Sequence, residues 1–260
     1  MSVRFFAANL SREAVRAFDA APMPPWAQSE TGRWLWHLDL GPIAAGMIVI
    51  PSLTISDGEP YGFRFALDTP HGRVHLPGFG DFSRQTKPVA NDHISTHIDY
   101  FGAIANIEQA SLVLEVESVA APEQRPMLLG VSQRNSRLDV LSPGKLSTAL
   151  IDVPALCQRD APTEIAMRIC SPTCLAMSMQ RLGLEADLLE VSRRAYDPGS
   201  GIYGVWPQSL YAASRYGVVA AVRTFDSLEE AAVLLDAGLP VVASVRYAAG
   251  ELHGSALAET

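Results

Sequence analysis

The sequence predicts a β-rich half followed by a half of mixed helix and strand, and three observations carry that reading. Apolar and polar residues alternate with a period of two in several short runs of the first half. Clusters of Gly, Pro and Asp separate those runs. Past Ser142-Pro143-Gly144-Lys145 helical spacing takes over. Residues 1–145 therefore read as a mainly antiparallel domain, β-sandwich-like or jelly-roll-like, and residues 146–260 as an α+β domain. A chain of 260 residues has room for two cores of ordinary size.

Taken in order, residues 11–20 suit a short helix capped by Ser11 and stopped by Pro22, Pro24 and Pro25. Trp34, Trp36, Leu38 and Leu40 then alternate with Leu35, His37 and Asp39, which predicts a half-buried strand. Tyr61, Phe63, Phe65 and Leu67 repeat the pattern, as do Ile94, Thr96, Ile98 and Tyr100, and again Leu112, Leu114 and Val116. Asp57-Gly58, Thr69-Pro70 and Pro77-Gly78 are the predicted turns. Trp34 and Trp36 share a face, suited to core packing more often than to stacking on a sugar or peptide. His93 and His97 have a spacing that joins two metal ligands on a helix, but in a strand-like run they lie well apart, with Asp92 and Asp99 adding little.

In the second half, Leu175, Met179 and Leu182 recur at helical spacing before Gly183, which suits the left-handed residue after a helix end. Leu184 to Ala195 and Trp206 to Tyr216 predict further helices, the latter ended by Gly217. Ser227-Leu228-Glu229-Glu230 has the form of a capping box, with Gly238 as the stop. Val218 to Val222 and Leu239 to Val245 read as apolar strands.

Composition narrows the function classes. Hydrophobic content of 48% with 18% charged residues suits a globular chain. A net charge of −8 and a pI near 5.2 argue against nucleic acid or an anionic membrane as the partner. Arg12, Glu13, Arg16 and Asp19 interrupt any secretion-signal pattern, and no apolar run approaches the ~20 residues that span a bilayer. Three cysteines do not suggest a disulfide framework, so a reducing cytoplasm is the expected location. Nothing here indicates an oligomeric state.

The chemistry-bearing stretch is Ile169-Cys170-Ser171-Pro172-Thr173-Cys174. Pro172 near a helix start costs little, because the first helical N–H groups have no intrahelical partner. Cys170 then sits at the positive end of the helix dipole, where the nucleophilic thiolate is favoured. A buried structural cysteine is the competing reading. Cys157 is expected to pack inward and Cys174 to be a packed small residue. Zinc held by these three thiols and a histidine matches no familiar spacing.

Asp152-Val153-Pro154-Ala155-Leu156-Cys157-Gln158, Arg168 to Thr173, Met177, Leu182-Gly183, Tyr196-Asp197-Pro198, Val205-Trp206 and Pro240 to Val245 together resemble a C39-like cysteine peptidase. Ile50-Pro51-Ser52 and Asp92 to Thr96 resemble, more loosely, the β-rich domain that precedes the peptidase in some members. The resemblance implies a papain-like fold for 146–260, Cys170 as nucleophile, and a Gln158 side-chain amide that joins the Cys170 backbone N–H in an oxyanion hole. Peptide or protein is the implied substrate, and thiol acyl transfer needs no cofactor.

The family's base is a histidine in a Gly-His-hydrophobic motif that opens a strand after the region resembling Pro240 to Arg246. The sequence reaches Ala258-Glu259-Thr260 before such a motif, so weak or absent activity is expected of it. His253, in Leu252-His253-Gly254-Ser255, is the only histidine of the second half and the remaining candidate for the base. A Cys-dependent acyl transferase, and a non-catalytic peptide- or carbohydrate-binding protein with a degenerate peptidase domain, are the alternatives.

Overall fold

A computed structural model describes residues 2–83, 87–137 and 150–244. Among these residues eleven strands form two sheets: β1 Ser2–Ala8, β2 Ala21–Pro22, β3 Ala27–Gln28, β4 Trp34–Ile43, β5 Met47–Ile55, β6 Gly62–Thr69, β7 Gly72–Gly80, β8 Ile94–Thr96, β9 Phe101–Ala103, β10 Ile107–Glu117 and β11 Met127–Asn135. One sheet has the order β2-β1-β11-β5-β9-β8 and the other β3-β4-β10-β6-β7. Every pairing is antiparallel except β1 with β2. The helices are α1 Arg12–Phe18, α2 Thr163–Ala166, α3 Cys170–Arg181, α4 Leu188–Ala195, α5 Trp206–Ser214 and α6 Leu228–Asp236. No helix among the described residues is long and apolar enough to cross a membrane.

The alternation read from the sequence becomes the core. Phe63, Phe65 and Leu67 on β6 stand opposite Val116, Leu114 and Leu112 on β10, and all six are buried. Leu53 and Ile55 on β5 face Leu129 and Met127 on β11 in the other sheet, and belong to the same cluster. Each such side chain contributes about 1.5–3 kcal/mol through burial, and a one-residue slip would turn the whole set outward. Trp36 is core, packed edge-on against Phe6 at 5.2 Å, and Trp34 is half-buried against the same cluster.

Two expectations in this half need correcting. Ile94 to Tyr100 is not one strand. Ile94–Thr96 turns back to pair with Phe101–Ala103, closed by His97 N–H donating to the Tyr100 carbonyl at 2.9 Å. Pro77-Gly78 is not a turn but part of β7, where Leu76 and Pro77 together oppose Phe65 in a bulge. Proline has no N–H to give to the ladder, and a bulge is where that loss is tolerated. His93 and His97 do not converge: the His93 ring stacks on His71 at 3.6 Å and the His97 ring on Tyr100 at 4.2 Å.

Helix α5 joins the helical region to the sandwich. Among the described residues β9 pairs with β5 only at Ile48 and Val49, which leaves the rest of β5 without a strand on that side, and β7 ends the opposite sheet. α5 packs on both strands, and covering an edge with a helix prevents pairing with another chain. Tyr211 and the preceding Val205 enter the sandwich core, with the Tyr211 ring edge-on to Tyr61 at 5.1 Å. The Tyr211 hydroxyl donates to Asp81 Oδ2 at 3.0 Å, and Gly80 N–H donates to Gln208 Oε1 at 3.0 Å. Burial first and Asp81 second push the Tyr211 pKa up, which keeps the phenol in its donating form.

The start of α5 is also held from the sandwich. Val205, its N-cap residue, supplies no side-chain bond. Asp99, in the β8–β9 turn, instead accepts from the Trp206 backbone N–H. Burial nevertheless leaves the Asp99 carboxyl above its ordinary pKa, with the Trp206 bond opposing that shift.

Beyond α5 the two expected strands are absent among the described residues. Val218–Val222 has no ladder partner: Thr54 Oγ1 donates to the Ala220 carbonyl at 3.0 Å, while Val219 and Ala221 pack on the Phe5, Ala7 and Leu128 cluster. The run is apolar as read, but it packs onto a sheet face instead of pairing. Residues 239–244 are likewise without strand structure, so no second sheet follows the helices as far as Ser244. The expected boundary at Ser142 to Lys145 lies outside the described residues.

Candidate active site

Cys170 is the first residue of α3 and is exposed. Its N-cap, Ile169, is fully buried and makes no side-chain cap bond, so it anchors the entry of the chain by packing. The Ile169 carbonyl accepts from Thr173 N–H at 2.9 Å and from Thr173 Oγ1 at 2.7 Å. At the other end Gly183 adopts φ +82, with Gly183 N–H to Gln180 O at 2.9 Å and Leu184 N–H to Met179 O at 3.2 Å. Those two bonds form a Schellman motif, which satisfies the last carbonyls.

α3 is held by its inner face. Ala176 and Met179 pack with Ala186, Val191 of α4 and Ala213 of α5. The packing that connects the sandwich to Cys170 therefore runs through α5 to α3. α4 begins at Leu188, later than the expected Leu184, because Asp187 Oδ1 takes the Glu190 N–H at 2.9 Å and acts as N-cap. α6 starts as expected, with Ser227 Oγ accepting from Glu230 N–H at 3.3 Å.

The two other thiols differ from expectation. The buried side of α3 is made by Pro172, Thr173, Ala176 and Met179, so Cys174, one turn after Cys170, shares the outward side and is exposed. Partial burial of its thiol, and then the charge of neighbouring Cys170, raise the Cys174 pKa. Cys157 is also exposed; Leu156 takes the inward position instead and packs against the α3 cluster. Among the described residues no group of three or more His, Cys, Asp or Glu side chains comes together to hold a metal.

Gln158 opens a 3₁₀ turn, Gln158–Asp160, that precedes α2 and α3. It is half-buried, and its Oε1 is buried without a hydrogen-bond partner among the described residues. Leu156 ties this stretch to α3, although no hydrogen bond joins Gln158 to Cys170. His253 lies outside the described residues. The other five histidines, His37, His71, His75, His93 and His97, all belong to the sandwich half.

A flank of the site escaped sequence reasoning. Arg168, two residues before Cys170, donates to the Gly201 carbonyl and lies 5.4 Å over the Tyr203 ring. Tyr203 in turn meets Tyr196 at 4.8 Å. This loop is braced by Asp197 N–H to Ile202 O at 2.8 Å and by Ser200 N–H to Asp197 Oδ2 at 2.9 Å. A Cβ placed on Gly204 would stand 3.5 Å from Ser171 Cβ, so the loop lies against the first turn of α3. Only the proximity of Arg168 to Cys170 was visible in the sequence; nothing local ties it to Tyr203.

Neither the curated proteins nor the solved structures contain a match to this chain. Residues 150–257, the stretch that holds Gln158, Cys170 and the helices around them, match the model of the Peptidase_C39 like family.

Proposed function

We propose that the C39-like part of the chain is a cysteine peptidase in which Cys170 is the nucleophile. The observation that carries the reading is an exposed thiol at the first residue of a helix buried on its other face, within the family match. In the proposed reaction Cys170 Sγ attacks a peptide carbonyl. The developing oxyanion is stabilised by the Cys170 backbone N–H, free because it lies in the first helical turn, and by the Gln158 amide. Leu156 packing against α3 supports that role for Gln158. His253 is the proposed base, as the only histidine within the matched stretch. General acid–base help of this kind is worth ~10²–10⁴-fold in rate.

The test is active-site labelling of the 260-residue chain with a peptide aldehyde or peptide vinyl sulfone, followed by turnover of a peptide library. Capture at Cys170 that is lost in Cys170→Ala supports the nucleophile. Turnover abolished by His253→Ala assigns the base, whereas capture at Cys170 without turnover removes His253 from that role. No capture by any probe would overturn the peptidase reading.

A further inference from the structure

Cys170 and Cys174 form an exposed pair one helical turn apart, and only one of them has a part in the proposed reaction. Residues four apart in an α-helix are separated by ~6 Å along the axis, with Cβ atoms about 5–6 Å apart. A disulfide asks for Cβ atoms ~3.5–4.5 Å apart, so the first turn of α3 must tighten or open slightly to bridge them. That movement has to displace the two bonds that Thr173 makes to the Ile169 carbonyl, at 2.9 and 2.7 Å. Both sulfur-bearing residues already face solvent, so neither needs to leave the core.

We propose that Cys174 is a resolving thiol that converts peroxide-oxidised Cys170 into an intrahelical disulfide. The oxidant is hydrogen peroxide or an alkyl hydroperoxide. Cys170 Sγ attacks the peroxide, the O–O bond breaks, and sulfenic acid forms as water or the alcohol leaves. Cys174 Sγ then attacks Cys170 Sγ; the S–S bond forms, the S–O bond breaks, and hydroxide leaves as water with the Cys174 proton. Two thiols are thus oxidised by two electrons, and the peroxide is reduced by two. The strain of bridging one helical turn makes the bond readily reducible by a dithiol, which returns both thiols. The modification shields Cys170 from further oxidation to sulfinic acid, which is not reversed by thiols. It rests on Cys170 being the thiol that oxidises first, but not on peptidase activity.

The experiment exposes the full chain to limiting hydrogen peroxide, alkylates free thiols, and maps tryptic peptides without reduction. Cleavage after Arg168 and Arg181 puts Cys170 and Cys174 in one peptide, apart from Cys157. Expected is an unalkylated peptide lighter by two hydrogens, restored to two alkylations by dithiothreitol. Cys174→Ser should instead accumulate Cys170 sulfinic acid that dithiothreitol does not restore. Circular dichroism on Cys174→Ser checks that α3 is intact, and the wild-type map stands without it. A disulfide involving Cys157, or sulfinic Cys170 beside a free Cys174 in the wild type, overturns the proposal. Failure to capture peptide probes, by contrast, would count against the peptidase reading alone.

Discussion

The Tyr61 hydroxyl stands 3.1 Å from Ser214 Oγ, which joins the sandwich to the end of α5 through a fully buried contact. Ser214 Oγ donates to the Tyr211 carbonyl at 2.7 Å, so its lone pair is left to accept from Tyr61. The Tyr61 oxygen in turn accepts from Ile55 N–H at 3.2 Å. One phenol thus satisfies groups on β5 and α5 at once, in the layer that supports the Cys170 helix. Burial pushes its pKa up to about 12, so the donor is retained at every physiological pH.

Tyr61→Phe should therefore cost about 1–3 kcal/mol, the usual penalty for leaving buried partners unsatisfied. Urea denaturation should show a lower midpoint with an unchanged slope. Ser214→Ala should lose less, because the Ile55 bond survives. Equal losses in the two variants would show that the chain of bonds is not shared through Tyr61.

Gly80 provides a sharper probe of the same contact. Its φ is +61, and a Cβ there would stand 2.5 Å from the Tyr61 carbonyl oxygen and 2.9 Å from the Tyr211 ring. Gly72 has φ +103 with nothing within 4 Å of a Cβ. Gly72→Ala should cost roughly 1–2 kcal/mol of backbone strain alone. Gly80→Ala should cost more and speed amide exchange across α5. A Gly80→Ala variant as stable as Gly72→Ala would mean that neither the Tyr61 carbonyl nor the Tyr211 ring of α5 sits against Gly80.

Local patterns made much of this legible. Phe63, Phe65 and Leu67 announced their strand, Ser11 and Ser227 their helix starts, and Gly183 the end of the helix that Cys170 opens. Contacts between distant stretches were not legible. Nothing near Asp99 says that it caps α5, and nothing near Tyr211 says that it enters the sandwich core. Val218–Val222 misled because a short apolar run records only that the segment is covered, whether by a neighbouring strand or by a packed surface. The outward Cys157 and Cys174 were misjudged for a related reason: only the packing of Leu156 and of the Pro172, Thr173, Ala176 and Met179 face decides which side of the chain is covered.

Asp99 makes a pH-dependent prediction. Its folded pKa is raised above the ordinary carboxylate value, so the folded state binds its proton more tightly than the unfolded chain does. That contribution is complete below the unfolded pKa, about 3.8–3.9, and is lost as pH rises through the folded value. Asp99→Asn keeps an acceptor for the Trp206 N–H without a buried charge. The variant should be as stable as or more stable than the wild type at pH 7, with its advantage shrinking or reversing towards pH 3.5. Chemical denaturation at several pH values measures this. A variant less stable at pH 7 than at pH 3.5, relative to wild type, would show that the ionised carboxylate is favoured at the α5 N-terminus.

The last prediction separates the thiols of α3. The thiolate is the form that alkylates, and a thiol whose pKa is raised offers less of it at neutral pH. Burial and the neighbouring Cys170 both act on Cys174 in that direction. With limiting iodoacetamide near pH 7, Cys170 should be modified before Cys174, although both are exposed. Alanine at position 170 removes the neighbouring charge but not the burial. Cys170→Ala should therefore speed Cys174 labelling only in part, and raising the pH should speed it further in either protein. Quantifying modified Ile169–Arg181 peptides over time gives both rates. If Cys174 is labelled first in the wild type, exposure and not ionisation governs reactivity on this helix face, and the assignment of Cys170 as the nucleophile loses its chemical basis.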